Sequence, residues 1–395
     1  NTENSINTVE ALGEAFTALN PNISINVETR PGGGEGDNMV KTRLATGEMT
    51  DLFWYNSGSL LQALNPTETL VDLSDQSFMS DVNGAFIAGV SAGDGVYGAP
   101  AQTAMGGGIL YNKVIYAELG LEVPMTWDEF MANNAKISAA GYDAVIQTYG
   151  DTWTSQLLVL ADYHNVAQET TGWADSFTAN EAKFADTPAA KRGFDRLAEL
   201  SNSGYLNRDA ATATFSDGVR ELALGEGAHY PMLTFAVADI SAVEGADLED
   251  VGFFAQPGDS AESNGLTVWL GAALYVPQTT QGARLSAAMQ FLDFVVSADG
   301  CAAVTAAVGQ QGPYFVNSCT DIDPNLSSPI RDMFPYFERA GGTTPALEFL
   351  SPVKGPALEQ LTVATGTGQY SADEAAALYD EDVKKQAQQL GLEGW

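Results

Sequence analysis

The N-terminal part of the chain changes from helical to strand-like spacing of its apolar residues. A first set recurs every three or four positions and so shares one face of a helix, namely Ile6, Val9, Leu12, Phe16 and Leu19. Asn20 and Pro21 follow and end that pattern, because proline does not continue a helix. Ile23, Ile25 and Val27 then alternate with polar residues, which predicts a strand.

The next segments continue the alternation of helix and strand. A glycine-rich loop at 31–36 leads into a second stretch of helical spacing at 39–44. The apolar run at 52–55 predicts another strand, and a turn at 57–58 leads into a further short helix. Alternation of this kind predicts an α/β sheet.

Three helix starts further along carry capping signals. Thr126 is followed three residues later by Glu129, and Ser371 by Glu374. This spacing predicts capping boxes, in which a hydroxyl and a carboxylate satisfy the free amides of the first turn. Pro188 predicts a third start, because proline is well suited to the first helical position.

Length and composition predict a folded chain with two lobes. The 395 residues exceed the length that a single hydrophobic core usually serves. Of these residues 45% are hydrophobic, which is ample for a sizeable core. Their 17 Lys and Arg against 51 Asp and Glu give a net charge of -34. Such a charge repels phosphate backbones and anionic lipid headgroups, so nucleic acid and membrane surfaces are not expected as ligands. We attribute the acidity to solubility and a monomeric state.

Three long windows carry no charged residue, at 95–112, 263–283 and 300–320. Glycine, proline or amide residues interrupt each of them, so none is expected to cross a membrane. The chain begins at Asn1 without a basic and then apolar leader. We therefore expect that any targeting segment has been removed.

The two cysteines, Cys301 and Cys319, lie close in sequence on either side of a glycine-containing turn. We favour a disulfide between them, which would require an oxidising compartment. The alternative is two buried thiols in a cytosolic protein, since two cysteines are few to judge from.

Motifs for catalysis or metal binding are weak. The only histidines, His164 and His229, are far apart in sequence, which argues against a histidine-rich metal site and a Ser-His-Asp triad. Carboxylates are so abundant that no pair of them identifies a glycosidase. The glycine run at 32–36 lacks the Gly-Lys-Ser/Thr of a phosphate loop, so we interpret it as a strand-to-helix turn. We expect no catalytic residue, no metal and no cofactor.

Several short motifs occur in a fixed order along the chain. They are NPNI at 20–23, DLFW at 51–54, GILYNK at 108–113, TWDEF at 126–130, ALGEGA at 223–228, and the segments 292–308 and 366–390. Together they resemble the extracellular solute-binding proteins of ABC sugar importers, the family 1 carbohydrate-binding type that is similar to maltose-binding protein. The family normally has a strand before its first helix, whereas the helical pattern here starts almost at once.

The resemblance implies an α/β, two-lobed, periplasmic-binding-protein-like clamshell. Each lobe is expected to be a sheet flanked by helices, with several crossings of the chain between lobes. We expect an N-terminal lobe of 1–105 and 266–310, and a C-terminal lobe of 106–265 and 311–395. The three neutral windows fall near the expected crossings, and chain that lines a site for an uncharged sugar should lack long charged side chains. Buried strands would lack them as well.

The implied function is capture of a neutral carbohydrate, expected to be an oligosaccharide, in the interlobe cleft by hinge closure. Delivery to the permease subunits of an ABC importer follows. The resemblance implies an extracytoplasmic location, as a cell-surface lipoprotein or in the periplasm, with no membrane insertion of this fragment. Two alternatives stay open, a carbohydrate-active enzyme of the glycoside hydrolase type and a receptor for a non-sugar solute such as a polyol or peptide.

A sugar site needs aromatic faces for stacking and planar amides or carboxylates for hydroxyl groups. Loops at strand ends are favoured positions, because α/β proteins bind ligands there. The aromatic candidates are Trp54, Trp153, Trp173, Trp269, Phe235 and Tyr314. The polar candidates are Glu35, Asn56, Gln102, Asp151, Gln310 and Gln311. Trp153 and Trp269 are favoured for stacking, and Phe235 is chosen partly because the family often has an aromatic residue there.

Overall fold

The computed structural model describes residues 2–320 and 323–395. Its α-helices are α1 (Glu3–Leu19), α2 (Gly33–Thr46), α3 (Ser59–Gln62), α4 (Pro66–Thr69), α5 (Gly84–Gly89), α6 (Lys113–Leu119), α7 (Trp127–Ala140), α8 (Leu157–Ala161), α9 (Tyr163–Glu169), α10 (Trp173–Thr178), α11 (Pro188–Asn202), α12 (Phe215–Ala223), α13 (Ala236–Ser241), α14 (Ala283–Val295), α15 (Ala298–Val308), α16 (Ser328–Glu338), α17 (Leu358–Gly366) and α18 (Ala372–Gln389). Its strands are β1 (Phe53–Tyr55), β2 (Ser91–Ala92), β3 (Gly95–Val96), β4 (Gly98–Pro100), β5 (Met105–Asn112), β6 (Asp143–Val145), β7 (Gly227–Leu233), β8 (Val251–Ala255), β9 (Leu266–Trp269), β10 (Ala273–Tyr275) and β11 (Thr343–Pro345). Short 3-10 helices lie at Ser77–Asp81, Thr152–Gln156, Leu248–Asp250 and Leu347–Phe349.

The chain divides into two compact units. Unit 1 comprises Asn1–Met105 and Leu270–Leu326, and unit 2 comprises Gly106–Trp269 and Ser327–Trp395. The chain therefore changes unit after residues 105, 269 and 326. This division differs from the predicted lobes, which placed 311–326 in the second lobe and 266–269 in the first.

Residues 311–319 belong to unit 1 because several bonds tie them to it. The backbone amide of Ala104 donates to the carbonyl oxygen of Pro313 at 2.8 Å. The disulfide favoured from the sequence is present and joins Cys301 of α15 to Cys319. Residues 266–269 form β9, which pairs in parallel with β11 of unit 2. Pairing of distant segments decided both boundaries, and the local sequence does not show it.

Unit 1 is built on an antiparallel sheet of the order β1, β10, β4. Phe53 lies opposite Tyr275 in its ladder, and both side chains are buried. The predicted N-terminal helix is confirmed as α1, and its apolar face packs against α14. The ring of Phe16 lies 5.2 Å from that of Phe291 and 5.7 Å from that of Phe294, measured between centroids.

The strand predicted at 23–27 is wrong. This segment belongs to none of the strands assigned within 2–320 and 323–395. Its alternation instead places Ile25 against α1, where a Cβ added to Gly13 would lie 3.1 Å from the Ile25 side chain. A strand requires a neighbouring ladder as well as alternation, and the alternating pattern alone could not reveal whether a neighbour exists.

The predicted helix starts are confirmed. Thr126 accepts a hydrogen bond from the backbone amide of Glu129, whose carboxylate accepts from the amide of Thr126 in return. Ser371 and Glu374 form the same reciprocal pair at the start of α18. Pro188 occupies the first turn of α11. These signals act within four residues, so the local sequence is sufficient to predict them.

Unit 2 contains a mixed sheet of the order β11, β9, β5, β7, β6, and β8 also pairs with β5. Its central strand β5 carries three consecutive glycines at 106–108, all buried. One apolar cluster, which includes Ile109, Phe130 and Phe254, covers this sheet. A second cluster, which includes Phe194 and Tyr379, lies among α9, α10, α11 and α18.

Within the part of the chain that the structure describes, no single helix is long and apolar enough to cross a membrane. By length and composition alone α14 and α15 pass that test as a pair, but the two helices meet at a bend of 73°.

Candidate functional site

In unit 2 the loop after β6 carries two predicted site residues, Asp151 and Trp153. The amide of Gly150 donates to the carbonyl oxygen of Ala213 at 2.8 Å, which fixes the loop against a neighbouring segment. Gly150 is required at this contact, because a Cβ there would lie 2.5 Å from the carbonyl oxygen of Thr212. The 3-10 helix Thr152–Gln156 starts directly after this fixed point.

The carboxylate of Asp151 has a partner inside the protein. Its Oδ2 atom accepts a hydrogen bond of 2.7 Å from the backbone amide of Phe215, the first residue of α12. The first amides of a helix have no partner within it and carry partial positive charge, so a carboxylate is favoured there. Asp151 therefore joins its loop to the start of α12.

This junction brings three aromatic rings together. The ring of Trp153 lies 5.4 Å from that of Phe215 and 6.0 Å from that of Phe235, and Phe215 lies 5.8 Å from Phe235. Trp153 and Phe235 are half-buried, whereas Phe215 is buried behind them. We call these three residues the aromatic platform. Half-buried rings in this arrangement can stack on a flat and weakly polar ligand face.

Phe215 was missed in the sequence analysis. The capping pattern of Thr214 and Asp217 marks the start of α12 and thus places Phe215 in its first turn. That signal predicts the helix but not its neighbours, since Trp153 and Phe235 lie far from Phe215 in sequence.

Trp269 stands at the end of β9 and is 6% exposed. Its ring covers Gly107 of β5, where an added Cβ would lie 2.1 Å from the Cζ3 atom of Trp269. The glycine run of β5 thus has a structural purpose, because it leaves space for this ring.

The prediction of Trp173 as a ligand-binding residue is corrected by its packing. Its side chain is 2% exposed and belongs to the second apolar cluster of unit 2. Its ring stacks on Phe177 at 5.0 Å with an interplanar angle of 16°, and its Nε1 atom donates to the Thr187 hydroxyl at 3.1 Å. Both the apolar face and the polar atom of Trp173 are therefore used in the core.

In unit 1 two predicted polar residues lie next to the same sheet. The hydroxyl of Tyr275 donates to the carbonyl oxygen of Asn56 at 3.1 Å, and the Asn56 side chain is exposed. The Oε1 atom of Gln102 accepts from the amide of Ala272 at 3.0 Å. Trp54 is half-buried in β1, where it lies opposite Leu274 of β10.

The segment after α15 carries the remaining candidates of the third neutral window. Tyr314 is half-buried and hydrogen-bonds the Thr305 hydroxyl, and together with Gln102 it lines a small cavity beside Cys301. Gln311 is 4% exposed, and its Nε2 atom donates to Val308 at 3.5 Å.

Gln310 has a different role from the one predicted. Its Nε2 atom donates to the carbonyl oxygen of Gly312 at 3.1 Å, and its Oε1 atom accepts from the amide of Asp323 at 2.8 Å. Because both ends of this buried amide hold neighbouring backbone, Gln310 fixes its own loop.

The start of α2 contains a further cluster that the sequence analysis missed. Glu35 is exposed in the first turn, whereas the guanidinium of Arg30 lies 5.9 Å from the centroid of the buried Tyr55 ring. Burial lowers the pKa of Arg30, and burial together with the charge of Asp37 raises the pKa of Tyr55. Arg30 precedes Pro31 and the glycine run, which is the signal that could have drawn attention to it.

The structure offers no clear centre for metal chemistry in the residues that it describes. In 2–320 and 323–395 no group of three or more His, Cys, Asp or Glu side chains could hold a metal ion.

Comparison with known proteins gives one consistent result. Residues 11–320 match the family model described as bacterial extracellular solute-binding protein. The chain is 26% identical over 302 residues to the multiple sugar-binding protein of Streptococcus mutans serotype c, an alignment that covers 74% of this chain and 68% of that protein.

Solved structures agree with this family match. A chitin oligosaccharide binding protein has a TM-score of 0.83 at 17% identity, with 98% of both chains covered. RafE in complex with raffinose has a TM-score of 0.79 at 21% identity, with 98% of this chain and 97% of that chain covered. Identities this low concern the fold alone, and they confirm the predicted two-lobed, periplasmic-binding-protein-like α/β class.

Proposed function

Because the chain belongs to the bacterial extracellular solute-binding proteins, we propose that it binds a neutral carbohydrate outside the cytoplasm as the receptor of an ABC importer. The family match covers most of the chain. The relatives named above are called sugar-binding or oligosaccharide-binding proteins, or were solved with a sugar, and none is named as an enzyme. These similarities support a binding role. The proposal that the ligand is a neutral carbohydrate rests in addition on the aromatic platform.

The observation that carries the proposal is the half-buried ring of Trp153 beside Phe235. A pyranose presents a flat C–H face and a rim of hydroxyl groups, and an indole ring is the side chain with the largest matching face. Phe215 supports both rings from the buried side, so their faces are held before the ligand arrives. Preorganisation of this kind lowers the entropic loss of binding.

The remaining candidates are assigned by the same reasoning. Asn56 and Gln102 in unit 1 would supply amide groups for hydroxyls. Trp269, favoured from the sequence for stacking, is instead assigned to packing, because it is 6% exposed and its ring covers Gly107. An oligosaccharide is proposed over a single sugar unit, because several rings and amides are available. Delivery to permease subunits stays a prediction from the family.

Isothermal titration with raffinose, stachyose and a chitin trisaccharide tests the platform. We expect Trp153→Ala to weaken binding by about 1–3 kcal/mol, the range for losing one stacked aromatic face. The matched control is Trp395→Ala, because Trp395 is also half-buried but packs beside Lys183 and donates to the carbonyl oxygen of Thr178. Unchanged affinity in a folded Trp153→Ala variant would refute this site.

Two further measurements separate the proposal from its rivals. Chromatography after long incubation should return each sugar intact, whereas a carbohydrate-active enzyme would release shorter products. Hinge closure on ligand, which the resemblance implies, remains a prediction for small-angle scattering. A radius of gyration that stays constant at saturating ligand would contradict it.

A further inference from the structure

The 3-10 helix that carries Trp153 is held by a helix from a distant part of the sequence. The hydroxyl of Thr152, the residue before Trp153, donates to the Oε2 atom of Glu359 at 2.7 Å. Glu359 lies in the first turn of α17. A hydrogen bond to a charged acceptor is stronger than one between neutral groups, so this contact strongly favours one position of the loop.

A second contact lies two residues beyond Trp153. The Oγ atom of Ser155 lies 3.0 Å from the carbonyl oxygen of Glu359 and 2.7 Å from the hydroxyl of Thr362. Ser155 and Thr362 are fully buried. The residues on both sides of Trp153 are thus bonded to α17, while its ring packs against Phe215 and Phe235.

Close packing adds to these bonds at the other end of α17. A Cβ added to Gly366 would lie 1.9 Å from the hydroxyl oxygen of Tyr149. Tyr149 belongs to the loop that leads to Trp153, so α17 approaches this loop along its whole length. A position fixed at several points has little freedom to tilt.

From these contacts we infer that Thr152 and Glu359 are positioning residues for the Trp153 ring. Their hydrogen bond sets the angle at which the indole face meets the sugar. The inference rests on the proposed function in one respect, because it assumes that Trp153 contacts the ligand. Glu359 acts through Thr152, because its side-chain oxygen accepts the hydrogen bond of the Thr152 hydroxyl. The positioning role therefore requires an acceptor oxygen at residue 359.

Four variants test the positioning role. Thr152→Val keeps the shape of the side chain and removes the donor, and Glu359→Ala removes the acceptor. Glu359→Gln keeps a carbonyl oxygen and is the conservative rescue. Thr178→Val is the matched control, because the Thr178 hydroxyl also donates at 2.8 Å, to Ser351 elsewhere in unit 2.

Affinity for the tightest of raffinose, stachyose and a chitin trisaccharide is the first readout. We expect Thr152→Val and Glu359→Ala to raise Kd by about fivefold to twentyfold, as loss of one charge-assisted hydrogen bond allows. Thr178→Val should stay within about twofold of the unmodified protein, and Glu359→Gln should lose clearly less affinity than Glu359→Ala, because a neutral acceptor keeps part of the hydrogen bond. Equal losses for Glu359→Gln and Glu359→Ala would overturn the inference.

The emission of Trp153 is the second readout and needs no ligand. It is obtained as the difference between each protein and its Trp153→Phe counterpart. Thr152→Val should shift this difference spectrum to longer wavelength, because a loosened ring meets more water, and Thr178→Val should leave it unchanged. An identical spectrum in Thr152→Val would overturn the inference even if no sugar binds.

The two proposals fail in different ways. If Trp153→Ala weakens binding and Thr152→Val does not, the platform stands and the positioning role is refuted. If Trp153→Ala binds every sugar as well as the unmodified protein, the platform itself is refuted. A variant that loses thermal stability but keeps its affinity and its Trp153 emission would assign Thr152 to folding alone.

Discussion

Unit 1 and unit 2 are stabilised by different kinds of interaction. Unit 1 contains the disulfide of Cys301 and Cys319, and its ion pair between Arg43 and Glu28 lies at the surface with side chains 38% and 63% exposed. Unit 2 instead buries charge, since the side chains of Arg196 and Asp162 are both 2% exposed. A disulfide stabilises a fold by restricting the conformations of the unfolded chain. A buried ion pair, in contrast, becomes strongly destabilising when one partner is removed, because the other charge is left buried.

This difference predicts that the two units respond to different conditions. Both histidines of the chain, His164 and His229, are buried in unit 2. Reductant should therefore affect unit 1, and pH should affect unit 2. Hydrogen exchange read by mass spectrometry resolves the two units, and urea unfolding measures the free energy of unfolding in the remaining tests.

The largest expected effect is removal of the buried guanidinium in unit 2. The guanidinium of Arg196 forms an ion pair with Asp162, and its Nη2 atom lies 2.8 Å from the Oδ1 atom of Asp259. Its Cζ atom lies 5.0 Å from the centroid of the Trp127 ring. Arg196→Met would leave the Asp162 carboxylate buried without its partner, which should lower the free energy of unfolding by about 3–5 kcal/mol. Urea unfolding measures this loss.

The control for that variant is an ion pair at the surface of the same unit. Arg331 pairs with Glu249, and their side chains are 49% and 62% exposed. Arg331→Met should change the free energy of unfolding by less than about 1 kcal/mol. Similar losses in Arg331→Met and Arg196→Met would show that burial does not distinguish the two pairs.

Removal of the disulfide should have the next largest effect, in unit 1. The two cysteines are separated by 18 positions, and opening a loop of this size lowers the free energy of unfolding by about 3 kcal/mol on the chain-entropy model. We expect a protein with Cys301→Ser and Cys319→Ser to exchange faster at 298–319, while the segment 188–202 in unit 2 is unchanged. Faster exchange in both segments would contradict separate stabilisation of the units.

Acid should destabilise unit 2 through its histidines. Burial lowers the pKa of His229 to about 3 from an ordinary value of 6.5, and burial lowers the pKa of His164 as well. The folded state thus favours neutral rings, so their stabilising effect is complete above pH 6.5 and is lost as the pH falls toward the lowered values. For His229 the free energy of unfolding should fall by about 1.4 kcal/mol for each pH unit below 6.5.

Urea unfolding between pH 6.5 and 5 isolates this effect only as a difference between two proteins, because His164 and Glu221 also contribute to the slope there and do so equally in both. His229→Phe keeps an aromatic ring among Tyr116 and Phe130 and removes the titrating group. Its slope against pH should therefore be smaller than that of the unmodified protein, whatever its stability at pH 7. Equal slopes would mean that His229 does not govern the acid response.

Local features of this fold were predictable from sequence, and long-range ones were not. The capping boxes at Thr126 and Ser371 were correct because all their atoms lie within one helical turn. The strand at 23–27 was wrong because a strand needs a partner that alternation does not reveal. The lobe boundary at 310 was misplaced since Pro313 and Phe315 accept hydrogen bonds from Ala104 and Asn83, which lie far away in sequence.

The candidate site shows the same limit. Trp153 and Trp173 both follow glycine-containing turns, yet one is half-buried beside Phe235 and the other is a core residue. Trp173 packs on Phe177 in a cluster that Tyr379 of α18 helps to complete from some 200 positions further along the chain. Residue type and loop position are therefore enough to select tryptophans as candidates, but tertiary packing decides which indole rings stay accessible to a ligand.

The smallest expected effect concerns Glu221 and has the opposite sign to that of the histidines. Burial, and then the charges of Asp143, Asp209 and Glu226, raise the pKa of Glu221 to about 8. The Cβ of a side chain at Gly227 would lie 2.6 Å from its Oε1 atom, so the carboxyl packs closely against β7. The folded state holds a proton that the unfolded chain releases, so this stabilisation is complete below pH 4.5 and is lost as the pH rises to about 8.

Glu221→Gln mimics the protonated carboxyl and should remove that loss. At pH 8 we expect its free energy of unfolding to exceed that of the unmodified protein by about 1 kcal/mol, after screening by solvent is allowed for. At pH 5 the two proteins should be nearly equal in stability. Glu244→Gln, at an exposed position of the same unit, should change the free energy of unfolding little at either pH.

Urea unfolding at both pH values measures the difference. A gain that is the same at pH 5 and pH 8 would show that the amide improves packing and that no titration is involved. A gain confined to pH 8 would mean that the buried carboxyl of Glu221 limits the stability of unit 2 above neutrality, as the buried histidines limit it in acid.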